Sequence, residues 1–209
     1  MQPVVAAARW SPPRIVGLGG SLRTPSSSLR ALRLALHAAG AAGAHTDLLD
    51  LRSLDLPLYG TEVAHVPAGA VRLAEAVDEA DGMIWSSPLY HGTVSAAFKN
   101  ALDWLQLLAD RDPPFLTHKP VGLIATAAGG QGLQAVNTME FVVRALRGWA
   151  VPLVVPIARA HQVFADDGSA RDARVGDQLA RLGREVVMAA ERLRSGVRRD
   201  EQAGARRVG

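Results

Sequence analysis

The chain contains no cysteine. That excludes disulfide relays, thiolate nucleophiles and cysteine metal sites, and it fits a cytoplasmic setting. Lysine is nearly absent, with only Lys99 and Lys119. No apolar run is long enough to span a bilayer, so no membrane partner is expected. Residues 1–13 lack the charged start and apolar centre of a secretory signal and are expected to form an N-terminal extension. The net charge is +3, and the stretch from Arg194 to Gly209 supplies all of it, with five arginines against Asp200 and Glu201. The body is therefore near neutral. Residues 195–209 read as a basic, solvated, disordered tail. No aromatic residues interleave with those arginines, which speaks against a nucleic-acid partner.

Hydrophobic residues make up 48% of the 209, enough for one substantial core. Apolar, strand-like runs alternate with helical patterns. Strands are expected at 14–20, 45–51, 82–87, 120–127 and 151–156. Helices are expected at 28–39, 71–80, 96–108, 131–146 and 173–192. Five strands interleaved with helices predict a parallel, doubly wound α/β sheet with right-handed crossovers. The strands are continuous apolar runs, as expected where helices cover both faces. The domain is read as residues 14–194.

One stretch stands out. Gly19-Gly20-Ser21-Leu22-Arg23-Thr24-Pro25-Ser26-Ser27-Ser28 joins the first strand to the first helix. Its hydroxyls, its N–H groups and the following helix start converge on a site for a dianion. Arg23 adds a guanidinium that binds phosphate oxygens in pairs. It is not a Walker A loop, because neither lysine lies here. It is not a dinucleotide fingerprint either, because Leu22 stands where the third glycine belongs. A hydroxyl-rich cup suits a terminal phosphate monoester. The competing reading is an ordinary serine cap before a helix.

In such sheets the ligand lies beyond the carboxyl ends of the strands. Two further loops are specialised there. Ser87-Pro88-Leu89-Tyr90-His91-Gly92-Thr93 offers a ring and an exposed backbone. Thr126-Ala127-Ala128-Gly129-Gly130-Gln131-Gly132 lets backbone approach a flat ligand. A phosphate end and a planar end at one switch point suggest a mononucleotide.

Three motifs give the chain its resemblance to the NADPH-dependent FMN reductase family, over about residues 14 to 191. They are Gly20-Ser21-Leu22-Arg23 with Ser26, the long stretch from Ser87 to Trp104, and Ala128-Gly129-Gly130. The stretch with Lys99-Asn100-Ala101-Leu102-Asp103-Trp104 is closest to the quinone- and azo-reducing branch. The resemblance implies a flavodoxin-like fold with strand order 2-1-3-4-5, bound FMN, and NADPH or NADH as co-substrate. It implies phosphate contacts from Ser21, Arg23, Ser26 and Ser28, with Ser27 and Thr126 beside them. Pro88, Leu89, Tyr90, His91 and Gly92 are implied around the ribityl chain and ring, and Ala128, Gly129 and Gly130 beside the ring. It further implies a homodimer or homotetramer, with the helix carrying Lys99–Trp104 near the interface.

The chemistry then belongs to the cofactor, and no side-chain catalyst is nominated. In the expected cycle a hydride passes from NAD(P)H to flavin N5, and two electrons then pass to a quinone, azo compound, free flavin or metal oxyanion. Other residues have plainer readings. His91 reads as a loop residue turned to solvent, with donation to the flavin or a reduced quinone as the alternative, and Tyr90 supports its loop as readily as it packs on a ring. Lys99 and Asp103, four apart, read as an ion pair. Trp104 reads as packing or interface, His161 as a surface loop residue with a substrate-site role as the alternative, Asp166-Asp167-Gly168 as a turn, and Arg181, Arg184 and Arg192 as a solvated face. A flavodoxin-like electron carrier is the alternative from another class, and a reductase supplying reduced FMN to a monooxygenase is a third. Carriers are strongly acidic, and this body is near neutral.

Overall fold

The structure is a computed structural model and describes residues 11–60 and 65–205. Residues 1–10, most of the expected N-terminal extension, lie outside the described residues, as do 206–209 of the tail. The strands are β1 (Arg14–Gly19), β2 (His45–Asp50), β3 (Gly82–Tyr90), β4 (Thr93–Val94), β5 (Pro120–Thr126) and β6 (Trp149–Ile157). The helices are α1 (Ser27–Ala41), α2 (Leu51–Leu54), α3 (Ala68–Asp78), α4 (Ala96–Trp104), α5 (Leu133–Ala145), α6 (Ala160–Val163) and α7 (Ala173–Ala205).

Five strands pair in parallel in the order β2-β1-β3-β5-β6. Counted without the short β4, that is the expected order 2-1-3-4-5. The sequence expectation of five strands is corrected to six, because β3 runs past Ser87 to Tyr90 and folds back on β4. Leu89 pairs with Val94 and Tyr90 with Thr93. His91 (φ 49°) and Gly92 (φ 86°) form the two-residue turn between them. Positive φ at both central residues matches the right-handed twist of a hairpin. The short α2 and α6 carry no period long enough to read from sequence.

The central strands β1, β3 and β5 are almost wholly buried, which is why they read as unbroken apolar runs. One core lies between the sheet and α3, α4 and α5, around Leu73, Met83, Trp85, Phe98 and Leu123. The other lies under α1 and α7, around Ile15, Leu32, Ile84, Leu182 and Val186. Each fully buried aliphatic side chain contributes about 1.5–3 kcal/mol. At the outer edge, β6 carries Pro152 and Pro156, and its register with β5 shifts between Val121 and Leu123.

The last helix is longer than its sequence suggests. The expected end at Arg192 is corrected to Ala205, so residues 195–205 of the expected disordered tail are helical. Nothing after Arg192 stops a helix except glycine, which costs only about 1 kcal/mol. Arg194 also fixes this helix to the body, donating to Asp81 at 2.8 Å and to the Ser11 carbonyl at 2.9 Å. Among the described residues, no helix is long and apolar enough to cross a membrane.

Candidate functional site

The site lies at the carboxyl ends of β1, β3 and β5. A Cβ at Gly19 would sit 2.1 Å from the Ser86 carbonyl oxygen, so only glycine lets β1 leave the sheet this close to β3. The Gly20 N–H then donates to that same carbonyl at 3.1 Å. Beyond it the loop opens, and Ser26 caps α1 by accepting from the Leu29 N–H at 3.2 Å. For Ser26 the ordinary capping reading therefore holds. The Ser27 and Ser28 N–H groups are among those a helix start leaves without an intrahelical acceptor.

The hydroxyls differ in what they have left to give. Ser21 Oγ accepts from the Arg23 N–H at 3.1 Å, and Ser26 Oγ accepts as described. Both keep a proton to donate. Ser27 Oγ donates its proton to the Ala160 carbonyl at 3.2 Å. Ser28 Oγ and Thr126 Oγ1 lie 2.6 Å apart and buried, so one proton of the pair is used between them. Ser86 Oγ donates to the Ser28 carbonyl at 2.8 Å. These bonds fasten the start of α1 to β3, β5 and α6.

A cavity of about 410 Å³ opens over this cup. Of the residues expected from sequence, Ser21, Arg23, Ser26, Ser27, Ser28, Pro88, Leu89, Tyr90, Thr126 and Ala128 all line it. His91 and Gly92 lie beyond it, exposed at the hairpin turn. Gly129 and Gly130 do not line it but follow Ala128 directly. A Cβ on either would meet no atom within 4 Å, so the fold itself does not demand glycine there. Among the described residues no carboxylate lines the cavity, while two guanidinium groups do.

The sequence reading missed Arg30 and Ala160, which also line the cavity, as does His161. Arg30 was within reach, because a helical side chain leans back toward the N-terminus and a residue one turn inside α1 covers the cup. His161 is exposed, as a surface residue would be, but it lies on a short helix rather than in a loop and it borders the cavity. It lies in α6, two residues after Arg159 with its φ of 45°, and neither the short helix nor that turn has a sequence signature.

The conspicuous α4 motif does a different job. Asn100 accepts from the Tyr59 N–H at 2.8 Å and donates to the Pro57 carbonyl at 2.9 Å. Trp104, buried, donates to that carbonyl at 3.0 Å and meets Tyr59 edge-on at 5.2 Å between ring centres. Lys99 pairs with Asp103 at 2.5 Å, as expected. The motif thus holds the segment 56–59. Asp166-Asp167-Gly168 forms the expected turn. Asp167 accepts from the Ser169 hydroxyl at 2.7 Å and N–H at 2.9 Å, which holds its carboxyl below the usual range.

A flavodoxin-like sheet with a hydroxyl and guanidinium cup at its switch point defines a mononucleotide-binding α/β protein. The model of the NADPH-dependent FMN reductase family matches residues 13–162. The chain belongs to that family, and so to the oxidoreductases, with FMN as cofactor and NADPH as co-substrate. It is 31% identical over 186 residues to the NADPH-dependent FMN reductase ArsH of Acidithiobacillus ferrooxidans, covering 87% of this chain and 75% of that one. It is 34% identical over 143 residues to an NADPH azoreductase of a Bacillus species, covering 68% and 72%. In fold it is similar to the flavoenzyme NAD(P)H:(acceptor) oxidoreductase FerB of Paracoccus denitrificans, with a TM-score of 0.71, 21% identity and coverage of 86% and 98%.

Proposed function

We propose that this protein oxidises NAD(P)H and reduces a small acceptor, in a double-displacement cycle in which the two substrates take turns at one opening. The observation that carries the reading is the cavity, lined by a donor-rich cup and by Pro88, Leu89 and Tyr90, with no carboxylate among the described residues that line it. That donor set fits a phosphate monoester, and the space left free beside Gly129 and Gly130 fits a flat ring.

Each residue has a distinct part. Ser21 and Ser26 donate hydroxyl protons to the phosphate, and Arg23 and Arg30 balance its charge. Ser27, its hydroxyl engaged with Ala160, contributes its N–H. Ser28 and Thr126 have one free proton between them and otherwise brace the cup. Pro88 to Gly92 flank the ribityl chain and ring edge, and Ala128 to Gly130 border the ring. When bound, FMN supplies the hydride-accepting and two-electron-donating chemistry that no side chain here has. The protein's own work is to bind, orient and leave one face of the ring open.

Planar quinones, azo compounds, free flavin and metal oxyanions are the acceptor classes this opening suits, and azo reduction is named for one relative. The protein acts as a homo-oligomer in this reading, and the near-neutral body argues against an electron carrier. The test is a visible spectrum before and after anaerobic NADPH. A flavin spectrum that bleaches, with the released chromophore being FMN, is the expected result. Bound flavin that NADPH and NADH both leave oxidised would overturn the reductase reading in favour of a carrier.

A further inference from the structure

A second groove, of about 710 Å³, begins where the cup ends. Arg23, Thr24, Pro25, Ser26 and Arg30 line both. From there it follows the outer face of α1 past Arg33 and His37, with Leu29 and Leu34 as its apolar part and Arg52 at one side. Arg30, Arg33 and His37 are three and four residues apart, so they share one helical face.

The fold uses these charges only in part, since Arg30 acts on Asp167 across the groove at longer range. Among the described residues, the guanidinium groups of Arg23, Arg30 and Arg33 form no ion pair or hydrogen bond. Arg52 is held against the Thr24 hydroxyl. The opposite rim is the turn Asp166-Asp167-Gly168-Ser169. A ligand carrying phosphate alone would leave that acidic rim without donors to accept from. A ligand joining a phosphate monoester to ribose hydroxyls and an amine suits both sides, because carboxylates accept from hydroxyl and amino groups while arginines take the phosphate.

We propose that this groove binds the 2′-phosphorylated adenosine end of NADPH and gives the protein its preference for NADPH over NADH, with Arg33 as a specificity-determining residue. The inference rests on the redox reading above for its ligand. Arg23 and Arg30, common to both cavities, then lie between the cofactor phosphate and the dinucleotide and screen the two from each other. The separation of tasks makes the idea testable, because Arg33 and His37 line the groove alone.

The experiment uses the FMN-loaded protein and two redox-inert probes, 2′,5′-ADP and 5′-AMP, followed by calorimetry. The expected result is that 2′,5′-ADP binds at least about tenfold more tightly, as a charge-assisted phosphate contact requires. Arg33→Ala is expected to remove roughly that preference, and Arg33→Glu to reverse it. The ratio of kcat/KM for NADPH to that for NADH should fall by about the same factor, mainly through the KM for NADPH. Arg33 is exposed, so neither variant threatens folding, and far-ultraviolet circular dichroism checks this. Equal affinity for the two probes, or Arg33→Glu binding 2′,5′-ADP as the unaltered protein does, overturns the proposal. Failure to oxidise NADPH, with 2′,5′-ADP binding still dependent on Arg33, overturns the redox reading and leaves the groove standing.

Discussion

The Ser28–Thr126 pair shows what a buried hydroxyl is worth. Removing one partner strands the other in a dry place, whereas removing both leaves an apolar contact. Thr126→Val is therefore expected to cost about 1–3 kcal/mol in urea unfolding, and Ser28→Ala with Thr126→Val less than the sum of the two singles. At Gly19 an added Cβ collides with the Ser86 carbonyl, so Gly19→Ala should destabilise by about 3 kcal/mol, read as a lowered urea midpoint. Much of this residue-level detail was legible. Ser21, Arg23, Ser26 and Tyr90 announce themselves by type and position in a strand-to-helix loop. His161 was legible only as an alternative, because its place depends on where β6 ends and on the left-handed turn at Arg159, and neither leaves a mark in composition.

At the scale of the element, the turn of the β3–β4 hairpin was hidden. Pro88 and Gly92 signalled a loop, yet strand pairing carries β3 to Tyr90 and leaves only His91 and Gly92 to turn. Gly92→Ala should lower stability by about 1 kcal/mol, whereas His91→Asn, a better residue at positive φ, should keep or raise the melting temperature. The end of α3 poses another problem. Lys119 donates to the Asp78 and Ala80 carbonyls at 2.7 Å each. Burial lowers its pKa from 10.5 despite the opposing pull of Asp78 and Asp81. Between that lowered value and 10.5 the unfolded chain binds more protons than the folded one, so stability rises with pH there. The urea midpoint of the unaltered protein should accordingly gain on that of Lys119→Met as pH is raised toward 10.5.

The whole molecule was the most legible level. Alternating apolar runs and amphipathic helices fix a doubly wound sheet because both faces of each central strand must be covered. What escaped was the length of α7, which runs on past Arg192 because the contact of Arg194 with Asp81 holds the helix to the body there and no local signal stops it. Arg194→Ala should lower stability by about 1–2 kcal/mol, because the partly buried Asp81 loses one of its two donors, keeping the Arg14 N–H, and the Ser11 carbonyl loses its bond from Arg194. Hydrogen exchange should show the fastest amides loosening in the last turns of α7 while β1, β3 and β5 stay protected.

The two prolines of β6 bear on how copies of this chain can meet. A proline has no N–H to offer, and Pro152 and Pro156 sit on a strand with one free side. That border is closed to a continuing intermolecular sheet. Assembly on this flank is left to side chains, of which Phe141 and Trp149, 72% and 60% exposed, are the largest apolar ones. A protein built this way resists fibre-like stacking there in concentrated solution, and its flank can evolve new neighbours by exchanging surface residues without disturbing the sheet.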